Sequence, residues 1–189
     1  MRKAQIMAKP NHDAQRQFIQ RRKAVADNQA RIEDAEVLAD LAIQMWTDQD
    51  LEDLTEEFRQ LVMNDDAVCL IRYVDDKPIA FAQCQLRRDY VEGTDSSPVG
   101  YLEGIFVAEG YRRQGHAAAL LSECEKWAKE KGCSEFASDC ELDNADSLRF
   151  HMALGFEEAN RIICFRKELS SSSGKNSEDI FQGETENDE

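Results

Sequence analysis

Apolar positions recur at helical spacing through residues 32–43, where Ala35, Leu38, Ala39, Leu41 and Ala42 alternate with Glu33, Asp34, Glu36 and Asp40, so the pattern predicts an amphipathic helix. A second helix is predicted over 51–63. The rhythm then shortens to β-rich runs at 68–74 and 78–86, and Asp75-Asp76-Lys77 joins them as the turn of a hairpin. Residues 89–100 read as a polar loop with Gly, Ser and Pro, and 101–107 as a further apolar strand. A long helix is predicted over 115–131, closed by Gly132 with Lys129 and Lys131 in its last turn. After it come a short strand at 135–140, a helix at 144–154 ended by Gly155, and a closing strand at 161–167. A mixed, twisted α/β sheet flanked by helices accommodates this order.

The flanks differ in composition. Residues 1–24 are basic and polar, with Arg16, Arg21, Arg22 and Lys23 close together, and read as an N-terminal extension. Ser170-Ser171-Ser172-Ser173-Gly174 opens a polar, acidic stretch, 170–189, whose low hydrophobicity and high charge predict disorder. One domain, 25–169, lies between them, and a chain of 189 residues leaves little room for a second core. The opening residues have no apolar segment and no cleavage site, and no run reaches the length of a membrane span, so a cytoplasmic protein is expected. The six cysteines lack any C-x-x-C pair, which predicts buried reduced thiols and no metal site. A net charge of −15 repels nucleic acid and anionic membranes and attracts cations.

Chemistry concentrates where the strand at 101–107 runs into the long helix. Between them lies Arg112-Arg113-Gln114-Gly115-His116-Ala117, a turn whose backbone N–H groups face outward at the positive end of a helix dipole. Such a site suits phosphate. Gly115 admits the anion to the backbone, Ala117 keeps the next turn narrow, and Arg112 and Arg113 add charge. By itself the turn is equally a strand-to-helix connection with a solvated basic pair.

Arg112-x-x-Gly115-x-Ala117 after an apolar strand resembles the pyrophosphate signature of the GCN5-related N-acetyltransferases. The segment from Asn144 through Leu154-Gly155-Phe156 matches a second element of that family. The resemblance covers 25–169 and implies that the strands at 101–107 and 135–140 run parallel and splay apart. It further implies that acetyl-coenzyme A lies in the gap. Ile105, Phe106 and Val107 would bond its pantetheine arm, residues Arg112, Arg113, Gln114, Gly115, His116 and Ala117 would hold the pyrophosphate, and Asn144 and Ser147 would complete the site.

Acetyl transfer to an amine requires a base for the ammonium proton and an acid for the departing sulfur. Glu103 is the candidate base, on a strand among apolar neighbours that are expected to raise its pKa; a mid-strand glutamate facing solvent or a lysine is the plain alternative. Many family members carry a tyrosine acid where this chain has His151, which is either a replacement acid or a helix-surface histidine. No cysteine is placed to act as a covalent nucleophile.

The stretch 90–105, with Glu125-x-Trp127-Ala128, Glu135-Phe136-Ala137-Ser138-Asp139 and the Met45-Trp46 pair, resembles the aminoglycoside 6'-N-acetyltransferases. That likeness implies an acceptor site lined by Trp46, Tyr90, Glu103 and Asp139, with Asp139 sharing the acid–base work, and often a homodimer; Glu92 joins the site as a further carboxylate for a polycation. Carboxylates with an aromatic wall also suit a polycation on physical grounds. Trp46 as a core anchor and Asp139 as a cap are the plain readings of those residues. Two other functions stay open: acetylation of another polycation or a protein amine, and non-catalytic binding of coenzyme A or sequestration of an aminoglycoside.

Overall fold

The first predicted helix is divided in two. A 3₁₀ turn, Ile32–Asp34, leads into helix α1 (Ala35–Ala42), which buries Leu38, Ala39, Leu41 and Ala42 on one side. Helix α2 (Leu51–Leu61) starts at Asp50, whose carboxylate accepts the N–H groups of Glu52 (2.8 Å) and Asp53 (3.2 Å), a cap that satisfies two otherwise orphan donors. Its buried Leu54, Phe58 and Leu61 recur at helical spacing. These features come from a computed structural model that describes residues 28–169, so the extension 1–24 and the tail 170–189 lie outside the described residues.

Strands β1 (Ala67–Val74) and β2 (Lys77–Arg87) form the expected hairpin. Asp75 and Asp76 both take positive φ, 48° and 63°, the backbone that matches a two-residue turn to the twist of its strands. Strand β3 (Val99–Val107) pairs antiparallel with β2, and β4 (Phe136–Ser138) pairs parallel with β3, giving the order β1-β2-β3-β4. Helix α3 (His116–Glu130) connects β3 to β4, and α4 (Ala145–Ala153) follows.

Alternation along the strands divides the core between the two faces of the sheet. Cys69, Ile71, Phe81 and Phe106 pack with α1 and α2, while Val68, Leu70, Ala82, Cys84 and Leu102 pack with Leu120, Leu121 and Cys124 of α3. Phe81 is fully buried, with its ring 6.0 Å from those of Trp46 and Phe58 and 6.4 Å from that of Phe106. Among the described residues no helix is long and apolar enough to cross a membrane.

Two irregularities position the site. β4 accompanies β3 only through Gly100↔Phe136, Tyr101↔Ala137 and Leu102↔Ser138, so the parallel pair parts just where β3 continues to Val107. The β2–β3 register also slips, from Gln83↔Gly104 to Cys84↔Leu102, which makes Glu103 the extra residue of a bulge.

Two expectations need correction. Residues 161–167 form no strand; they run as irregular chain with Ile162, Ile163 and Phe165 exposed. Their β-rich pattern needs a ladder partner, and none of the described strands pairs with them. The cysteines also divide: Cys69, Cys84, Cys124 and Cys133 are buried, but Cys140 and Cys164 are exposed.

Candidate active site

The turn after β3 has the geometry an anion needs. A 3₁₀ turn, Glu109–Tyr111, is followed by Arg113 at φ 63° and Gly115 at φ 84°, and α3 begins at His116. Arg112 Nε donates to the Val107 carbonyl (2.9 Å) and Gln114 Nε2 to that of Gly110 (3.2 Å), which pins the loop to the strand end. Donors of the first turn of α3 have no acceptor within the helix and lie at its positive end. A Cβ added to Gly115 would meet nothing within 4 Å, so the space above its backbone is open to a phosphate. Ile105, Phe106 and Val107 carry β2 on one edge only among the described strands, leaving the other edge to the amides of a pantetheine arm. The residues present therefore fit coenzyme A. Asn144 has a local duty as well: its Oδ1 accepts the Ser147 N–H (3.0 Å) and caps α4.

Glu103 is not the apolar-shielded carboxylate that its sequence neighbours suggest. Both its oxygens are held by Arg87, Nε to Oε1 at 3.1 Å and Nη2 to Oε2 at 2.8 Å. Tyr101 and Glu103 stand two apart on β3, so alternation puts both on the face where Arg87, paired with Val99, reaches across from β2. Arg87 also lies over the Tyr101 ring, 3.3 Å from its centroid. Burial works against the guanidinium charge, yet the hydrogen bonds and field of Glu103, with the fields of Tyr101 and Asp139, hold the Arg87 pKa above its ordinary value.

Asp139 follows the last residue of β4 and completes this group. Burial, then the charge and hydrogen bonding of Asp139, push the Tyr101 hydroxyl up to about 12. Glu103 and Asp139, named from sequence for separate reasons, thus converge on Arg87 and Tyr101. Neither of these two was foreseen. The available signal was an arginine pair closing β2 of an acidic chain, which reads as ordinary surface charge.

His151 stands on α4 facing β4. Nδ1 lies 2.8 Å from the Ser147 carbonyl, an acceptor, so Nδ1 carries hydrogen. Nε2 is 3.0 Å from Ser138 Oγ, which is itself 3.0 Å from the Leu102 carbonyl. The Ser138 hydroxyl either donates to Nε2 or, when the ring bears a second proton, turns to Leu102 and accepts from Nε2. His151 is therefore connected to the point where β3 and β4 part, and is more than a helix-surface side chain.

The other acceptor candidates are more dispersed. Trp46 is half-buried against Phe81, and its indole occupies the place a Cβ on Gly104 would take, 2.8 Å from Cζ2. It is both core anchor and wall, bordering a cleft of about 250 Å3 that Glu103 also lines. Tyr90 is exposed and donates to Glu92 (2.7 Å), which also accepts from Asn160 (2.9 Å). Hydrogen bonds from Asn160, then Tyr90, lower the Glu92 pKa. These two residues staple the loop after β2 to the segment after α4 and do not join the Glu103 group directly.

The buried thiols are unsuited to nucleophilic work. Burial above all pushes Cys69 up to about 12, and a hydrogen bond to Cys124 together with burial raises Cys84 far beyond the working range.

A sheet that splays beside a phosphate turn, with carboxylates at the parting, defines an acyltransferase site built around coenzyme A. The chain belongs to the acetyltransferase (GNAT) family, whose model matches residues 35–156. Among its relatives is the aminoglycoside N(6')-acetyltransferase type 1 of Serratia marcescens, 45% identical over 126 residues, covering 66% of this chain and 86% of the relative. Similar solved structures include AAC(6')-Ih of Acinetobacter baumannii, with 39% identity and a TM-score of 0.71 over 75% of this chain and 97% of that one. AAC(6')-Iy in complex with the bisubstrate analog CoA-S-monomethyl-acetylneamine is 37% identical, with a TM-score of 0.72 over 75% and 96% of the respective chains.

Proposed function

We propose that this protein transfers the acetyl group of acetyl-coenzyme A to an amine of aminoglycoside antibiotics, the 6'-amine by likeness to its relatives, and so confers resistance. The observation that carries the reading is the meeting of Glu103 and Asp139 beside the parting of β3 and β4, next to a turn that fits pyrophosphate. Carboxylates there attract a polyammonium acceptor, whereas the helix terminus and two arginines attract the anionic donor.

Acetyl-coenzyme A supplies the acyl group as a thioester. Glu103 takes the ammonium proton, freeing the nitrogen lone pair to attack the carbonyl carbon as the carbon–sulfur bond breaks. For this the incoming amine displaces Arg87 from one carboxylate oxygen. Asp139 orients the acceptor, and a protonated His151, acting through the Ser138 hydroxyl at its Nε2, gives a proton to the departing sulfur and recovers it as the attacking nitrogen sheds its second proton to become an amide. No covalent enzyme intermediate forms, in keeping with the protonated buried thiols.

A homodimer belongs to the same reading. Ile162, Ile163 and Phe165 are apolar, β-prone and exposed, and pairing with a second copy supplies the ladder that 161–167 lacks. A cytoplasmic location, where acetyl-coenzyme A is available, is proposed with it.

The test is steady-state kinetics with product mapping by NMR. Glu103→Gln should lower kcat for kanamycin by about a hundredfold or more, while Asp139→Asn should chiefly raise KM. Acetylation at a nitrogen other than the 6'-amine would overturn the regiochemical part, and an unchanged kcat in Glu103→Gln the base assignment.

A further inference from the structure

The cleft beside Glu103 contains a polar group that neither the fold nor the mechanism uses. Gln83, on β2, is only 4% exposed, and its Oε1 has no hydrogen-bond partner among the described residues. A buried carbonyl of this kind is normally satisfied by protein or water. It lies at the register pair Gln83↔Gly104, where glycine leaves room for the Trp46 indole to pack down on β3. The cleft is thus floored by Gln83 and walled by Trp46. Leu54 and Glu57 of α2 and Gln85 border it, with Glu103 at one side.

The lining favours a cation. Glu57 is exposed at the mouth and enters no ion pair among the described residues, unlike Glu103, which is already neutralised by Arg87. A carbonyl acceptor, an aromatic wall and an unpaired carboxylate together match an ammonium group better than a hydroxyl or an anion.

We infer that this cleft is a second ammonium subsite, which seats an amine of the acceptor other than the one acetylated, with Gln83 Oε1 accepting its N–H and Glu57 supplying the counter-charge. Gln83 and Glu57 are then specificity residues: they select polyamino acceptors and touch no reacting atom. This rests on the acceptor reading given above, and it assigns that reading a place for one more charge.

Steady-state kinetics of full-length Glu57→Gln and Gln83→Leu, with kanamycin and acetyl-coenzyme A, separate the possibilities. Glu57 is exposed, so its variant keeps the fold even if Gln83→Leu repacks. The expected result for each is a KM for kanamycin raised roughly fivefold to tenfold, with kcat within about twofold and the KM for acetyl-coenzyme A unchanged. A kanamycin KM unchanged in Glu57→Gln, with wild-type turnover intact, would overturn the subsite and leave the acceptor reading standing. A fall in kcat without a rise in KM would contradict it too, by placing the residue at the reacting centre. Absence of turnover in the wild type would instead remove the acceptor reading itself, and the subsite with it.

Discussion

Arg87 sits over the ring of Tyr101, 3.3 Å from its centroid, and from that perch grips Glu103 with two hydrogen bonds. A guanidinium in a cleft otherwise suited to polycations occupies the place where a substrate ammonium has to come. The pair is bidentate and only part-exposed, so it exceeds the roughly 0.2–1 kcal/mol of a fully exposed one, and an incoming amine has to replace the hydrogen bond that it displaces.

Replacing that cation should therefore favour the acceptor. Arg87→Met retains bulk over Tyr101 but frees the Glu103 carboxylate, and the KM for kanamycin is expected to fall about threefold with that for acetyl-coenzyme A unchanged. A KM that rises instead would mean that Arg87 holds Glu103 in its working orientation.

The Tyr101 hydroxyl gives a pH signature. Burial first, then Asp139, raise it to about 12 from the ordinary value of 10.0. The neutral form is the one favoured by the fold, so this contribution to stability is complete below about pH 10 and is lost as pH rises toward about 12. Urea midpoints measured across that window should fall less steeply in Tyr101→Phe than in the wild type. Parallel curves would refute the coupling to burial and Asp139.

The phosphate turn makes paired demands on backbone. Gly115 at φ 84° lies in the left-handed region, where a Cβ is strained, so Gly115→Ala should cost about 1–2 kcal/mol in stability and raise the KM for acetyl-coenzyme A. Arg113 occupies a similar region, φ 63°, and Arg113→Gly should gain about 1 kcal/mol while weakening acetyl-coenzyme A binding. Opposite stability changes with the same direction in KM are the outcome to look for by denaturation and kinetics.

Phe81 is the load shared by α1, α2 and the sheet. Phe81→Ala should cost about 3–5 kcal/mol, read from chemical denaturation, because three neighbouring rings leave its cavity little means of collapse. A cost near 1 kcal/mol would show that Trp46 moves in to fill it.

Features legible in the sequence were those encoded locally. The Asp75-Asp76 turn, Gly115 before α3 and Asn144 before α4 each place a residue type where its backbone or cap is needed. Residues that act across the sheet were not legible. Arg87 meets Tyr101 and Glu103 because the ladder sets it opposite Val99, on the same face of β3 as those two residues, and no spacing along the chain announces a register. His151 was visible as a candidate, but its link through Ser138 to Leu102 depends on how α4 packs against β4. Residues 161–167 carry a strand pattern without a ladder partner among the described residues, which shows that alternation states a preference and pairing decides the outcome.

The most direct measurement is thiol release from acetyl-coenzyme A with kanamycin, tobramycin, spermidine and a lysine-rich peptide as parallel acceptors. Rapid turnover with the two aminoglycosides, and none comparable with spermidine or the peptide, is the predicted result. Turnover with spermidine or the peptide alone would keep the fold and the acyl donor but contradict the acceptor. Silence with all four, beside tight binding of coenzyme A, would contradict catalysis itself.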